Sequence, residues 1–249
     1  MSPPLFWVEE VPPAGASMVL SGREGRHAVT VARLRPGESL LLGDGAGAMA
    51  SCEVSAVEGK DALRVVAHRF TFTDRPQPMV TLVQALPKSE RSELAVDLAT
   101  EAGVDRIVPW QSARCVARWA GKADKGVAKW RTAASAAAKQ SRRPWIPEVT
   151  ELATTIDVRA YAAETMAGHG VVAVLHEEGA TPIRELPLAE ASAIMLVVGP
   201  EGGLDDSEIA DLTALGARSV ILGPEVLRTS TAASVALGAL GVLTDRWAR

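Results

Sequence analysis

From residue 79 onward, short apolar runs alternate with amphipathic segments along the chain. Each run has the length and the β-branched content of a buried strand. The runs are MVTLVQAL (79–86), VDRIVPW (104–110), GVVAVLH (170–176), AIMLVVG (193–199) and ARSVILG (217–223). Strands that alternate with helices indicate an α/β layer fold with a mainly parallel sheet.

The segments between and after these runs predict helices. SERSELAVDLATEAG (89–103) ends at a glycine, and KGVAKWRTAASAAAKQSRR (125–143) is basic and rich in alanine. Asp205 and Glu208 form a capping box for a third helix. A last helix with Thr229 or Ser230 as its cap is predicted to run to about Trp247. The apolar face of the first helix consists of Leu94, Ala95, Leu98, Ala99 and Ala102.

The first 73 residues have a different pattern, which predicts a small β-rich domain. Residues 38–58 read as two strands around a Gly-Asp-Gly turn, and residues 61–70 as a third strand. Residues 23–37 predict one short helix that ends at a Pro-Gly pair. The proline-rich stretch TDRPQP has the composition of a linker, so we predict domains at 1–73 and 74–249.

Composition places limits on the class of protein. Hydrophobic residues make up 47% of the 249 residues and charged residues 22%, as in ordinary globular proteins. No apolar stretch approaches the roughly 20 residues of a membrane helix, and the N-terminus lacks the pattern of a signal peptide. Cys52 and Cys115 are far apart and have no second metal-type ligand nearby. We therefore expect a cytoplasmic protein with no metal and no membrane partner.

The charge of the chain is unevenly distributed. The net charge is −4, yet residues 84–145 contain 12 Lys and Arg against 6 Asp and Glu, and residues 146–249 contain 6 against 15. A basic segment in an acidic chain indicates a polyanionic partner, and a solvated helix face is the alternative.

Two similar turns carry the candidate chemistry. The strand at 193–199 ends in Gly-Pro-Glu-Gly-Gly, and the strand at 217–223 leads into Gly-Pro-Glu and then Leu-Arg-Thr. Proline and glutamate disfavour a phosphate, because an anion needs free backbone N–H groups and no carboxylate beside it. Ligands bind where loops gather at the carboxyl ends of parallel strands, so the two turns predict a shared site for a neutral or cationic ligand.

The pair G-P-E-G-G and L-G-P-x-x-L-R-T closely resembles the RsmE family of SPOUT-type methyltransferases. Residues 84–116 and 27–47 resemble further segments of that family, so the resemblance covers almost the whole chain. It implies an N-terminal PUA-like β-barrel domain that holds RNA and a C-terminal SPOUT α/β domain with a trefoil knot and a mainly parallel sheet. It also implies methylation of N3 of a uridine in 16S ribosomal RNA, with S-adenosyl-L-methionine as the methyl donor.

The resemblance also implies the site residues. Arg228 is expected to stabilise the uridine anion as methyl transfer proceeds, with an ion pair to Glu201 or Glu225 as the alternative. Glu201 is expected to favour the cationic donor or to orient its loop through backbone N–H groups. The family motif reads L-R-T-E-T, whereas Ser230 stands here in place of its glutamate. The residues expected to bind the cofactor are Leu175, His176, Gly199, Pro200, Glu201, Gly202, Gly203, Leu222, Gly223, Pro224, Leu227 and Thr229.

The expected partners are 16S ribosomal RNA or the small ribosomal subunit and a second copy of the chain. We expect the dimer to form partly through Ala232, Ala233, Ala236 and Gly238 of the last helix. A ribose 2′-O methyltransferase of the same superfamily and a catalytically silent RNA-binding protein are the alternatives. The RNA-binding candidates are Arg23, Arg26, Arg33, Arg35, Lys88, Arg91, Arg114, Arg118, Lys122, Lys125, Lys129, Arg142 and Arg143.

Overall fold

A computed structural model describes residues 2–88 and 91–248. The chain divides into two compact units. The first consists of Met1–Arg75 and Ala138–Ile146, and the second of Pro76–Ala137 and Pro147–Arg249. Residues 138–146 thus return to the first unit from within the part of the sequence that the predicted boundary assigns to the second domain.

The first unit contains a five-stranded sheet with the order β1-β3-β4-β5-β2. β1 pairs in parallel with β3, and the other pairs are antiparallel. The strands are β1 Leu5–Trp7, β2 Ser17–Leu20, β3 Ser39–Gly43, β4 Ala48–Glu58 and β5 Ala62–Phe72. The last three were predicted, whereas β1 and β2 are too short to show an alternating pattern.

The single short helix predicted over residues 23–37 is observed as two short pieces. Helix α1 covers Gly22–Arg26, and one π-helical turn follows at His27–Val31. The core of this unit lies on one face of the sheet, where alternate residues of β3 and β5 are fully buried. They include Leu40, Leu42, Leu63 and Val65.

The second unit contains a seven-stranded sheet with the order β10-β12-β9-β11-β6-β7-β8, and all its pairs are parallel. Its central strands are buried on both faces, which explains their continuous apolar runs. The strands are β6 Met79–Ala85, β7 Arg106–Trp110, β8 Glu148–Val149, β9 Val171–Leu175, β10 Thr181–Pro182, β11 Ala193–Val198 and β12 Arg218–Ile221. The short strands β8 and β10 were not predicted.

Helices α2 Ser92–Glu101 and α3 Ala123–Gln140 correspond to the first two predicted helices. Ser89 and Glu90, at the predicted start of the first, lie outside the described residues. The predicted apolar face of α2 is wrong in part, because Leu94 is 45% exposed. The buried stripe is shifted by one position and consists of Ser92, Ala95, Val96, Ala99 and Thr100.

Helix α4 covers Thr155–Ala167 and helix α5 covers Asp206–Ala214. Helix α4 was not predicted. The capping box of α5 is confirmed. Asp205 Oδ1 accepts a hydrogen bond from the Ser207 N–H at 3.1 Å, and Glu208 Oε2 accepts one from the Asp205 N–H at 3.1 Å.

Helix α6 covers Thr229–Leu243 and differs from the prediction at both ends. Thr229 and Ser230 are buried in its first turn, so neither is the cap; Arg228 takes that position with an extended backbone and no side-chain cap. The helix also ends earlier than predicted. Thr244 has an extended backbone and ends the helix, and a short 3-10 turn follows at Asp245–Trp247.

A buried ion pair joins the segment after α6 to the rest of the second unit. Arg246 Nη1 lies 2.8 Å from Asp105 Oδ2, and the two side chains are 6% and 1% exposed. The same guanidinium donates to the carbonyl oxygens of Gly103 at 2.6 Å and of Pro78. Asp105 also accepts from the Val80 N–H at 2.8 Å. The residues after α6 therefore connect to β6 and to the segment before β7.

Candidate active site

A cavity of about 650 Å³ opens at the carboxyl ends of β9, β11 and β12 in the second unit. The segments that follow these three strands form most of its wall. The predicted meeting of the two Gly-Pro turns is thus present, and the segment after β9 joins them. This is the edge of a parallel sheet where ligands usually bind.

The turn after β11 depends on two of its glycines. A Cβ atom on Gly199 would lie 2.9 Å from Leu204 Cγ, which is too close for any other residue. Gly203 has a φ of +72°, and its N–H donates to the Pro200 carbonyl at 2.9 Å. These constraints keep the turn tight and bring its backbone to the cavity wall.

Glu201 reaches out of this turn to another loop. Its Oε1 accepts a hydrogen bond at 3.0 Å from the backbone N–H of Lys88, which follows β6. The bond joins residues that are 113 positions apart in the sequence. Of the two roles expected for Glu201, the orientation of a loop through a backbone N–H therefore has a direct contact to support it.

Arg228 lies where the turn after β12 enters α6. Its carbonyl oxygen accepts from the N–H groups of Thr231 and Ala232, both at 2.9 Å. Its side chain lines the cavity, is exposed, and forms no hydrogen bond or ion pair with any residue that the structure describes. The ion pair with Glu201 or Glu225 that we considered as the alternative is not formed.

The segment after β9 is held against β12. The His176 N–H donates to the Val220 carbonyl at 3.1 Å, and His176 Nδ1 accepts from the Glu178 N–H at 3.1 Å. Both bonds fix the backbone that forms the third wall of the cavity. In this arrangement the lone pair of Nδ1 is occupied, so a hydrogen on the ring lies on Nε2.

A buried carboxylate secures the start of α5. Glu208 is 4% exposed, and besides its bond within the capping box its Oε1 accepts from the Ala113 N–H at 2.9 Å and from Thr155 Oγ1 at 3.3 Å. One side chain thus connects the segment after β7, the start of α4 and the start of α5.

Arg114 is engaged at the same place. Its Nη2 lies 3.2 Å from Asp205 Oδ2 and 3.8 Å from Asp206 Oδ1. The hydroxyl and the backbone N–H of Ser207, together with Arg114, hold the pKa of the Asp205 carboxyl below its ordinary value. The charge of Arg114 is thus paired with two carboxylates beside the cavity, and its predicted contact with RNA stays a prediction.

Most of the residues expected to bind the cofactor surround this cavity. Of the twelve, Pro224 alone is absent from the described lining. Several other lining residues were not predicted to bind the cofactor. They are Glu177, Glu178, Leu204, Asp206, Glu225 and Val226.

The basic residues that we predict to bind RNA are divided between the two units. Most are exposed, but Arg142 Nε already donates to the Pro3 carbonyl at 2.9 Å, and Lys129 lies 3.9 Å from Glu93. Arg91 lines the cavity. The first unit contains Arg23, Arg26, Arg33, Arg35, Arg142 and Arg143, and the second contains Lys88, Arg91, Arg114, Arg118, Lys122, Lys125 and Lys129.

The chain matches two family models. That of the RNA methyltransferase domain covers residues 74–241, and that of the RNA methyltransferase PUA domain covers residues 20–67. Ribosomal RNA small subunit methyltransferase E of Mycobacterium bovis is 52% identical over 98% of this chain and 93% of that protein. The chain belongs to the ribosomal RNA small subunit methyltransferase E family.

More distant members of the methyltransferase E family agree with this assignment. The Bacillus subtilis protein of the same name is 30% identical over 96% of this chain and 93% of its own length. A crystal structure of the Neisseria gonorrhoeae protein bound to S-adenosyl methionine has a TM-score of 0.85 at 27% identity and covers 98% of both chains. The predicted fold class, a PUA domain with a SPOUT-type α/β domain and a mainly parallel sheet, is confirmed. The trefoil knot stays a prediction.

Two further findings concern partners. Within the described residues, no helix is both long and apolar enough to cross a membrane. The same residues contain no group of three or more His, Cys, Asp or Glu side chains suited to hold a metal ion.

Proposed function

We propose that this chain transfers a methyl group from S-adenosyl-L-methionine to N3 of a uridine in 16S ribosomal RNA of the small subunit. The observation that carries the proposal is the cavity formed by the two Gly-Pro-Glu turns in a member of the methyltransferase E family. Because the proposed substrate is ribosomal RNA, the proposal also implies a cytoplasmic protein.

The residues around the cavity suit this cofactor. A volume of about 650 Å³ lies in the range of small-molecule sites, roughly 300–1,000 Å³. Apolar side chains such as Leu175, Leu222 and Leu227 are available for an adenine ring, and five carboxylate residues also line the cavity. S-adenosyl-L-methionine supplies an activated methyl group on a positively charged sulfur and carries no phosphate. These five carboxylates outnumber the three arginines of the lining, Arg91, Arg114 and Arg228, which favours such a cation and disfavours a nucleotide phosphate.

Arg228 supplies a positive charge for the reacting base. Uridine N3 keeps its proton at neutral pH, and loss of that proton spreads negative charge onto O2 and O4. A guanidinium already in place stabilises such charge as it develops, with no reorganisation at the moment of reaction. The Arg228 side chain lines the cavity and is not neutralised by any carboxylate of the described chain, so its charge is available.

Single-turnover methylation of ribosomal RNA by Arg228→Ala tests this role. The rate should fall about 10²–10³-fold while donor affinity in calorimetry stays near that of the wild type. Arg228→Lys should restore only part of the rate, because an ammonium does not reproduce the planar guanidinium. A higher pH should narrow the gap, since more uridine is then already ionised. Arg218→Ala, at the start of β12 and outside the cavity lining, is the matched control.

Loss of donor binding in Arg228→Ala would contradict the role in catalysis and indicate that the side chain shapes the turn. Mass mapping of the product tests the reaction itself. A methyl group on ribose O2′ would support the alternative methyltransferase. Failure of the wild-type protein to bind S-adenosyl-L-methionine would support a silent RNA-binding protein.

Glu201 offers a second test, because two substitutions separate its loop contact from its charge. Glu201→Ala removes the acceptor of the Lys88 N–H and should weaken both S-adenosyl-L-methionine and the neutral product S-adenosylhomocysteine, by about tenfold or less for an exposed bond. Glu201→Gln keeps an acceptor oxygen but loses the charge, so it should weaken only the cationic donor. Equal weakening of both ligands by Glu201→Gln would contradict an electrostatic role.

We also propose that the chain acts as a homodimer through the exposed face of α6. Ala232, Ala233 and Ala236 were expected at the interface, but they are buried within their own unit. Val235 and Val242 remain 46% and 76% exposed on the other face of the helix, whose N-cap is Arg228. A second copy would cover these side chains.

A further inference from the structure

We propose that an unpaired RNA base stacks on an aromatic surface of the first unit formed by Phe70, Phe72, Arg75 and Trp145, which we call the Phe72 surface. Phe72 is 60% exposed and Phe70 is 44% exposed. Both lie at the end of β5, two positions apart, opposite Ala48 and Ala50 of β4. The inference rests on the proposed function only in taking RNA as the substrate.

Contacts within the first unit hold Phe72, Trp145 and Arg75 in place. The rings of Phe72 and Trp145 meet edge to face, with centroids 6.2 Å apart and planes at 80°. Trp145 Nε1 donates to the Thr73 carbonyl at 2.7 Å, and the guanidinium carbon of Arg75 lies 4.2 Å from the centre of the Trp145 ring. Stacking on fixed rings loses little conformational entropy, which favours binding.

The turn between β3 and β4 packs closely against the Phe72 surface. A Cβ atom on Gly47 would lie 2.7 Å from the Trp145 ring and 3.0 Å from the Phe72 ring. The Gly47 N–H donates to the Pro144 carbonyl at 3.0 Å, and its carbonyl accepts from the Thr73 N–H at 3.0 Å. Glycine at this position thus allows both aromatic side chains to approach the same backbone.

Packing of the returning segment against the first unit explains Trp145, which is half-buried, but it does not explain two exposed phenylalanines. An aromatic ring beside a guanidinium suits a nucleotide, because the ring stacks on any base and the cation pairs with a phosphate. Nearby carboxylates include the exposed Asp74 and the half-buried Asp44, and Asp44 accepts hydrogen bonds from the N–H groups of Ala46 and Ala48. The Phe72 surface lies outside the residues matched by the PUA model, so the inference adds an RNA-binding surface to that domain.

The test compares Phe70→Ala/Phe72→Ala with the wild-type protein by fluorescence anisotropy, using labelled single-stranded oligouridine and a labelled RNA duplex. Affinity for the single strand should fall about five- to 150-fold for each base that loses its stacking. Duplex affinity should not change, because paired bases are not free to stack on a side chain. The slope of log K against log salt should also stay the same, since neither phenylalanine binds a phosphate. Arg75→Ala should lower the magnitude of that slope by about 0.7.

Two further variants separate stacking from damage to the fold. Phe72→Trp should keep the affinity of the wild type, because any aromatic face suffices. Val57→Ala replaces a 40% exposed residue at the other end of β4 and is the matched control. All variants should retain the wild-type affinity for S-adenosyl-L-methionine in calorimetry, since the cofactor site lies in the second unit.

Wild-type affinity of Phe70→Ala/Phe72→Ala for oligouridine would overturn the stacking proposal and leave the proposed methyl transfer intact. Weaker binding to assembled small subunits with unchanged binding to free RNA would also overturn it, in favour of a protein partner. A wild-type protein that binds S-adenosyl-L-methionine but no RNA would overturn both proposals, which a failure of stacking alone does not do.

Discussion

The buried pair of Arg246 and Asp105 predicts a large loss of stability from one substitution near the end of the chain. Arg246→Met keeps most of the length of the side chain but leaves the Asp105 carboxylate 1% exposed and without its cation. Removal of one partner of a buried ion pair typically costs about 3–5 kcal/mol in the free energy of unfolding. The two guanidinium bonds to the carbonyl oxygens of Gly103 and Pro78 are removed at the same time, which places the estimate in the upper part of that range.

Calorimetric unfolding of the purified variant measures this loss. For a chain of this size each kcal/mol lowers Tm by about 2–4 °C, so a loss of about 4–5 kcal/mol in Arg246→Met should lower the Tm of the second unit by about 8–20 °C. Arg159→Met is the control, because Arg159 lies 3.2 Å from Asp211 in a pair whose side chains are 48% and 45% exposed. That surface pair should contribute at most about 1 kcal/mol.

A double variant tests the physical reason. In Arg246→Met/Asp105→Asn no charge remains buried, so part of the lost stability should return, although both groups lose hydrogen bonds. If Arg246→Met unfolds at the temperature of Arg159→Met, the pair does not anchor the segment after α6 and the reasoning fails.

Three other predictions concern charge and assembly. Burial, with smaller contributions from Glu101 and Glu93, raises the pKa of Asp97, so folding loses stability as pH rises from the ordinary value of 3.8 to the raised pKa of the folded state. Asp97→Asn should therefore raise Tm at neutral pH, with an advantage that disappears in scans below pH 3.8; an advantage that persists there would refute a charge effect. Lys125→Glu/Lys129→Glu should weaken RNA binding and reduce the salt slope by about 0.7–0.9 for each phosphate that the variant no longer binds, and unchanged affinity would exclude this part of α3 from the RNA site. Sedimentation should show a dimer that Val235→Glu/Val242→Glu dissociates, and a fully active monomer would contradict the proposed interface.

Local signals in the sequence determined much of the second unit. The apolar runs of β6, β7, β9, β11 and β12 predicted strands because a strand buried on both faces needs a continuous apolar sequence. The capping box of α5 was also predictable, because its donors and acceptors lie within three residues of each other in the sequence. The two Gly-Pro-Glu turns predicted the site because strand ends and turn residues are adjacent in the sequence. Short strands such as β1 and β8 were not predicted, because two or three residues are too few to show an alternation of apolar and polar positions.

Only the tertiary structure decided which distant groups meet. The bond from Lys88 to Glu201 and the burial of Arg246 against Asp105 join residues that are 113 and 141 positions apart. The return of residues 138–146 to the first unit brings Trp145 to Phe72. A side chain's partners in such pairs depend on how sheets and helices pack, and no local periodicity encodes that packing. The sequence by itself therefore determined which strands end in reactive turns, and the packing of the whole chain decided what each charged or aromatic side chain is free to do.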